Sequence, residues 1–205
     1  MTKIFIEMLK ERGYTYTTQL RRKMLGTTTE KCWEILIQEL KLADSISNIA
    51  TEYRARAYEL LGNCQFMPGA EKLVHHLYKK NVPIAIATSS AERMYLRKIE
   101  PHQNFFGMFN PVVCGGTDPA VGQSKPDPRI FLVCAERFSD NPCPEECLVF
   151  EDAPNGVMAA KKAGMQCIAI PDSDIPREAV KDATLILNSM EEFIPENFGL
   201  PCYYS

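Results

Sequence analysis

From Pro68-Gly69 onward, short apolar runs that end on polar residues alternate with amphipathic stretches of helical length. The apolar runs are VPIAIATSS, NPVVCGG, CLVFED, QCIAIP and TLILNS, and the helical stretches include AEKLVHHLYKKN, PRIFLVCAERF and NGVMAAKKAG. Strands alternating with helices in this way predict an α/β protein built on one parallel sheet with both faces covered. Ligands of such sheets collect at the carboxyl ends of the strands. The polar residues fall at those ends: Thr88-Ser89-Ser90 closes one run and Glu151-Asp152 closes another.

Residues 1–65 follow a helical pattern instead. Ile4, Phe5, Met8 and Leu9 share one face, and Gly13 after Lys10-Glu11-Arg12 is a stop signal. TTTEKCWEILIQELKL predicts a second helix capped by Thr27 or Thr28, with Cys32, Trp33, Leu36, Ile37 and Leu40 on its apolar side. A third helix is expected from Ile46 to Leu61, ended by Gly62-Asn63. KIFIEM also alternates like a strand at Ile4, Ile6 and Met8, but Phe5 and Leu9 fit the helix better. The expected organisation is a small helical domain over 1–65 and an α/β core over 66–205.

A net charge of -3 and a pI near 5.7 give no electrostatic case for nucleic acid or an anionic membrane surface. No apolar run approaches the ~18 residues of a membrane span. The N-terminal MTKIFIEMLKERG lacks the long apolar stretch and the small-residue cleavage site of a secretory signal. Eight cysteines are scattered, mostly in apolar runs, with no C-x-x-C pair. Cys143 and Cys147 come nearest, without the second pair or neighbouring His that a zinc site needs. They read as free, largely buried thiols of a cytoplasmic, reduced protein.

Three stretches can carry chemistry. In IAIATSSAER, Thr88 and Ser89 precede a helix N-terminus, where an O–H and free backbone N–H groups can hold a phosphate. The same residues, Ser89-x-x-Glu92, also spell a capping box that requires no ligand. In GQSKPDPRIF, Pro126 biases Lys125 toward extended backbone, and Asp127-Pro128 opens the next helix. Its ammonium is either a positioned point charge or a solvated loop lysine.

In CLVFEDAPNG, Asp152 can cap the helix that Pro154 begins, which leaves Glu151 unexplained. Adjacent carboxylates at a sheet mouth suit Mg²⁺, an ion that takes one or two carboxylates and completes its shell with water and substrate phosphate. Together the three stretches offer a phosphate grip, a charge neutraliser and a metal holder, the parts of a phosphoryl-transfer site.

ATSS, KPDP and FEDAPNG, in this order, resemble the second, third and fourth motifs of the haloacid dehalogenase-like hydrolases, the aspartate-nucleophile phosphatases. The resemblance runs from near Met1 to the C-terminus. It implies a Rossmann-like parallel-sheet core with a small helical cap domain, Mg²⁺ dependence and a small-molecule, nucleotide-like phosphomonoester substrate. It implies a monomer with no nucleic-acid or membrane partner. Carried over residue by residue, Thr88 and Ser89 hold the transferring phosphoryl group and Lys125 neutralises nucleophile and phosphate. Asp152 with Glu151 holds the metal, and Asn155 lies beside the site.

That family's first motif, an Asp-x-Asp-Gly run after an apolar strand, supplies the nucleophile and the general acid/base. The 205 residues contain no such run. The resemblance therefore implies a chain truncated at its N-terminal side, whose core lacks the first, central strand. Such a loss removes several buried side chains worth ~1.5–3 kcal/mol each from a total stability of only ~5–15 kcal/mol. It also takes away the nucleophile and the metal's principal ligand. The expectation is an inactive, weakly stable form of a phosphatase. A non-catalytic phosphate- or partner-binding protein is the alternative, and a sugar-phosphate mutase a further one.

Overall fold

The computed structural model describes residues 2–24, 29–61 and 64–203, and it divides into two compact units, Met1–Asn63 and Cys64–Ser205. The expected cap at Thr27 or Thr28 and the stop at Gly62-Asn63 lie outside the described residues.

The first unit contains α1 (Thr2–Glu11), α2 (Thr18–Met24), α3 (Thr29–Leu40) and α4 (Ile46–Leu61). Ile4, Phe5, Met8 and Leu9 are all buried on one side of α1 while Ile6 is exposed, so KIFIEM is helical. Gly13, at φ +79°, and a 2.8 Å bond from Tyr14 N–H to Leu9 C=O end the helix. Trp33 of α3 and Tyr53 of α4 close on Phe5, with ring centroids 4.7 and 4.8 Å from it. Arg12, beyond α1, bonds Asp44 (3.0 Å) and Glu52 (2.6 Å). α2 adds to the three helices expected. Thr17 Oγ1 accepts Leu20 N–H at its start, and its buried residues are Leu20 and Met24.

The second unit runs α5 (Ala70–Lys79), β1 (Ile86–Thr88), α6 (Glu92–Ile99), α7 (Gln103–Phe106), β2 (Val112–Cys114), α8 (Arg129–Glu136), β3 (Leu148–Glu151), α9 (Pro154–Lys162), β4 (Gln166–Ala169) and β5 (Leu185–Ile186). Each expected apolar run contains a strand, and all the pairings are parallel. Along β4 and just beyond it the period of two sorts the side chains. Cys167 and Ala169 join a cluster with Ile130, Val133 and Val157 of α8 and α9. Ile168 and Ile170 join another with Leu73 and Leu77 of α5. Helices thus cover both faces, as an α/β core requires.

One expectation is corrected. The sequence predicts a single sheet, whereas the described strands form two, β1-β2 and β3-β4-β5. Burial marks the interruption, because strands inside a covered parallel sheet are normally buried. Cys167, Ile168 and Ala169 of β4 are at most 2% exposed. All three residues of β1 are only half-buried, and in β3 only Val149 is buried.

Candidate functional site

Thr88 ends β1. Its C=O accepts Gly115 N–H (2.8 Å) and its Oγ1 accepts Ser90 N–H (3.2 Å), so the hydroxyl is fixed as an acceptor and keeps its own proton to donate. Ser89 beside it is exposed. The Ser89–Glu92 capping box does not form: Ala91 is the N-cap of α6, with no side-chain cap. Glu92 N–H is satisfied instead by Thr117 Oγ1 at 3.1 Å, from the loop after β2.

Gly116 permits that approach, since a Cβ there would stand 2.6 Å from Ala91 N. Sequence reasoning missed Thr117 and this glycine, and CGGT directly after a strand was the available signal. Lys98 Nζ donates to Ser90 Oγ at 2.8 Å, which brings a further ammonium to the loop.

Lys125 is not a solvated loop lysine. Its Nζ donates to Ala87 C=O in β1 (3.0 Å) and to Glu151 Oε1 at the end of β3 (2.5 Å), and it lies 4.5 Å from the Phe131 ring centroid. The two charged side chains are 12% and 9% exposed, so solvent screens the pair far less than a surface ion pair. An ammonium has three donors; two are committed, and the third remains for a ligand oxygen. Asp127 Oδ1 accepts Arg129 N–H at 2.9 Å, which holds the corner after the lysine.

Glu151 acquires here the explanation that the sequence alone did not supply. Its carboxylate is the counter-ion of Lys125, and Oε2 also accepts Asp152 N–H at 3.3 Å. Asp152 does not cap α9, because Ala153 occupies the N-cap. The Asp152 side chain is exposed and makes no hydrogen bond or ion pair with another described residue. Among the described residues no three His, Cys, Asp or Glu side chains converge on a metal position. One free, solvated carboxylate fits part of a Mg²⁺ shell, which is otherwise filled by water and phosphate.

The buried thiols nearby are not alternative nucleophiles. Burial pushes Cys134 up to about 11 and Cys167 up to about 12, the latter helped by the charge of Glu151. Both are therefore neutral thiols at neutral pH. All eight cysteines are free, and Cys143 is exposed.

A hydroxyl at the end of one parallel strand, a carboxylate just after another and a loop ammonium fixed between the two strands are the parts of an α/β protein of the phosphate-handling class. Residues 1–170 match the family model of the haloacid dehalogenase-like hydrolases, and the chain belongs to that family. It is 42% identical over 196 residues to a Drosophila melanogaster protein described as "Probable pseudouridine-5'-phosphatase", covering 96% of this chain and 85% of that protein. It is 41% identical over 187 residues to (DL)-glycerol-3-phosphatase 2 of Arabidopsis thaliana, covering 89% and 77%.

Among solved structures, a family IA HAD hydrolase from Entamoeba histolytica is similar at a TM-score of 0.78 with 23% identity. That match covers 95% of this chain and 88% of the other, and it speaks for the fold. The chain thus shares its family with these two relatives, both of which carry phosphatase names. Among the described residues no helix is long and apolar enough to cross a membrane.

Proposed function

We propose that this chain belongs to a Mg²⁺-dependent phosphomonoester hydrolase acting on a small nucleotide such as pseudouridine 5'-phosphate, and that these 205 residues hold phosphate without turning it over. The observation that carries the reading is Lys125, anchored between Ala87 C=O and Glu151 with one donor to spare. Thr88, with Ser89, contributes hydroxyl and backbone donors at the same strand ends. Asp152 would hold Mg²⁺ together with water and the substrate's own phosphate, while Glu151 stays with Lys125. The ion, when bound, neutralises phosphoryl oxygens.

Residues 1–65 serve as the cap and 66–205 as the core. The absence of an Asp-x-Asp-Gly run from these 205 residues supports binding without turnover. The substrate follows the printed name of the Drosophila relative. Eight free thiols suit a reducing, cytoplasmic setting. A monomer is sufficient, because one chain supplies every residue named.

The test combines calorimetry with a phosphate-release assay on the 205-residue chain. Inorganic phosphate and pseudouridine 5'-phosphate should bind when Mg²⁺ is present, with no phosphate released. Lys125→Ala should weaken binding by about tenfold or more, ~1.4 kcal/mol, with circular dichroism showing that the variant folds. Absence of binding, or binding indifferent to Lys125→Ala, sinks the site assignment. Release of phosphate that depends on Lys125 overturns the non-catalytic part and leaves an active phosphatase.

A further inference from the structure

Lys98 lies in the last turn of α6, where a basic side chain ordinarily leans toward the free carbonyls, an acidic partner or solvent. Its neighbour Arg97 does so and pairs with Glu100. Lys98 instead reaches back along the helix. Its Nζ donates to Ser90 Oγ at 2.8 Å, eight positions earlier and ahead of the first residue of α6. Lys98 is half-buried and makes no ion pair with any described residue. Carboxylates are nevertheless close by. Burial, Glu92 and Asp118 raise the thiol of Cys114, the register partner of Thr88, and Lys98 lowers it. Asp118 is engaged by Arg137. The ammonium is thus committed to a neutral hydroxyl beside the end of β1, which is an unusual use of a half-buried lysine.

The effect on the loop is specific. Ser90 is held at its N–H, its C=O and its Oγ. The N–H donates to Thr88 Oγ1 at 3.2 Å, the C=O accepts Gly116 N–H at 3.3 Å, and the Oγ accepts from Lys98. A serine hydroxyl that is free to rotate bonds neighbouring backbone groups, and so competes with whatever else they could hold. Around Ser90 those groups are the N–H donors at the start of α6, which suit an oxyanion. With the ammonium on its oxygen, the Ser90 hydroxyl no longer accepts from them. The Ser90 N–H stays on Thr88 Oγ1, so the Thr88 hydroxyl keeps the orientation in which its own proton is offered outward.

We propose that Lys98 is a positioning residue of the phosphate grip: it locks the Ser90 hydroxyl away from the loop's backbone donors and leaves those donors and the Thr88 hydroxyl open to an anion. The proposal rests on the reading of Thr88, Ser89 and Lys125 as phosphate holders given above. Lys98 differs from Lys125 in acting through another residue. Lys125 keeps a donor for the ligand oxygen itself, whereas Lys98 prepares the loop and need not touch the ligand. Its contribution therefore depends on Ser90 having a hydroxyl.

Calorimetric titration of the 205-residue chain with inorganic phosphate, in the presence of Mg²⁺, tests this dependence. Lys98→Met should weaken binding about fivefold, a loss of the size that one hydrogen bond contributes. Lys98→Arg, which keeps a charged donor, should bind within about twofold of wild type. In a Ser90→Ala background no hydroxyl remains to compete, so there Lys98→Met should cost less than about 1.5-fold. Circular dichroism checks that each variant folds, and Lys98→Ala takes the place of Lys98→Met should the latter unfold. An equal loss in both backgrounds means that Lys98 acts by charge or by supporting the fold, and overturns the proposal. So does a loss in Lys98→Arg as large as in Lys98→Met. Wild-type affinity in Lys98→Met, with binding still weakened by Lys125→Ala, overturns the role of Lys98 and leaves the phosphate site standing. Failure of the wild-type chain to bind phosphate removes the site itself, and this role with it.

Discussion

The carboxylate of Glu151 lies between the Lys125 ammonium and the Cα of Gly156. Gly156 is needed for space: a Cβ there would stand 2.0 Å from Oε2. In Gly156→Ala the new methyl must displace the carboxylate, which is the free end of a flexible side chain and swings aside more easily than the helix deforms. Lys125, 12% exposed, then loses its counter-ion. Uncovering a partner in so buried a pair costs about 2–3 kcal/mol, and the gain of alanine over glycine in a helix returns up to about 1 kcal/mol. A net loss of about 1–2 kcal/mol is expected in urea unfolding. In a Glu151→Ala background there is nothing to displace, and the same substitution should be neutral or stabilising. A loss of equal size in both backgrounds contradicts this role for Gly156. None of it is legible locally, because Lys125 and Glu151 are 26 residues apart and their pairing exists only once the fold does.

Among the elements, α8 and β4 carry the most perturbed thiols, Cys134 and Cys167. The Cys167 thiol, with an ordinary value of 9.0, is pushed up to about 12 in the fold. As pH rises, the unfolded chain therefore loses this proton first. The stabilisation is complete below pH 9 and disappears as pH climbs toward 12. Wild-type protein should lose urea resistance above pH 9 more steeply than Cys167→Ala, and parallel pH profiles would refute the assignment. Periodicity sufficed for the five strand runs and for α1, α3 and α4, where apolar positions repeat over several turns. It did not suffice for α2, which buries two residues in seven. It also misplaced the caps of α6 and α9. Thr117 bonds Glu92 N–H from 25 positions away, and an acceptor so distant leaves no signature beside the helix it serves.

At the scale of the whole molecule, the alternation of runs marks which residues are strands but not which strands are neighbours. Pairing is a long-range property: the resemblance implied a core without its first, central strand, but that β1 and β3 are the strands left unpaired to each other became visible only from the hydrogen bonds. The function of the strand ends and the stability of the second unit therefore meet at the same seam, where Lys125 links the two sheets. Stability within a domain is uneven, and exchange reports it amide by amide. In the free chain, Cys167, Ile168 and Ala169 of β4, flanked by β3 and β5, should be the slowest to exchange in Cys64–Ser205. Ala85, Ala87, Leu148 and Phe150 should exchange at least about tenfold faster, their N–H groups having no strand opposite. Burial by neighbouring helices without hydrogen bonding would slow them only in part. If they instead match Ile168, their amides are already paired and the two sheets act as one.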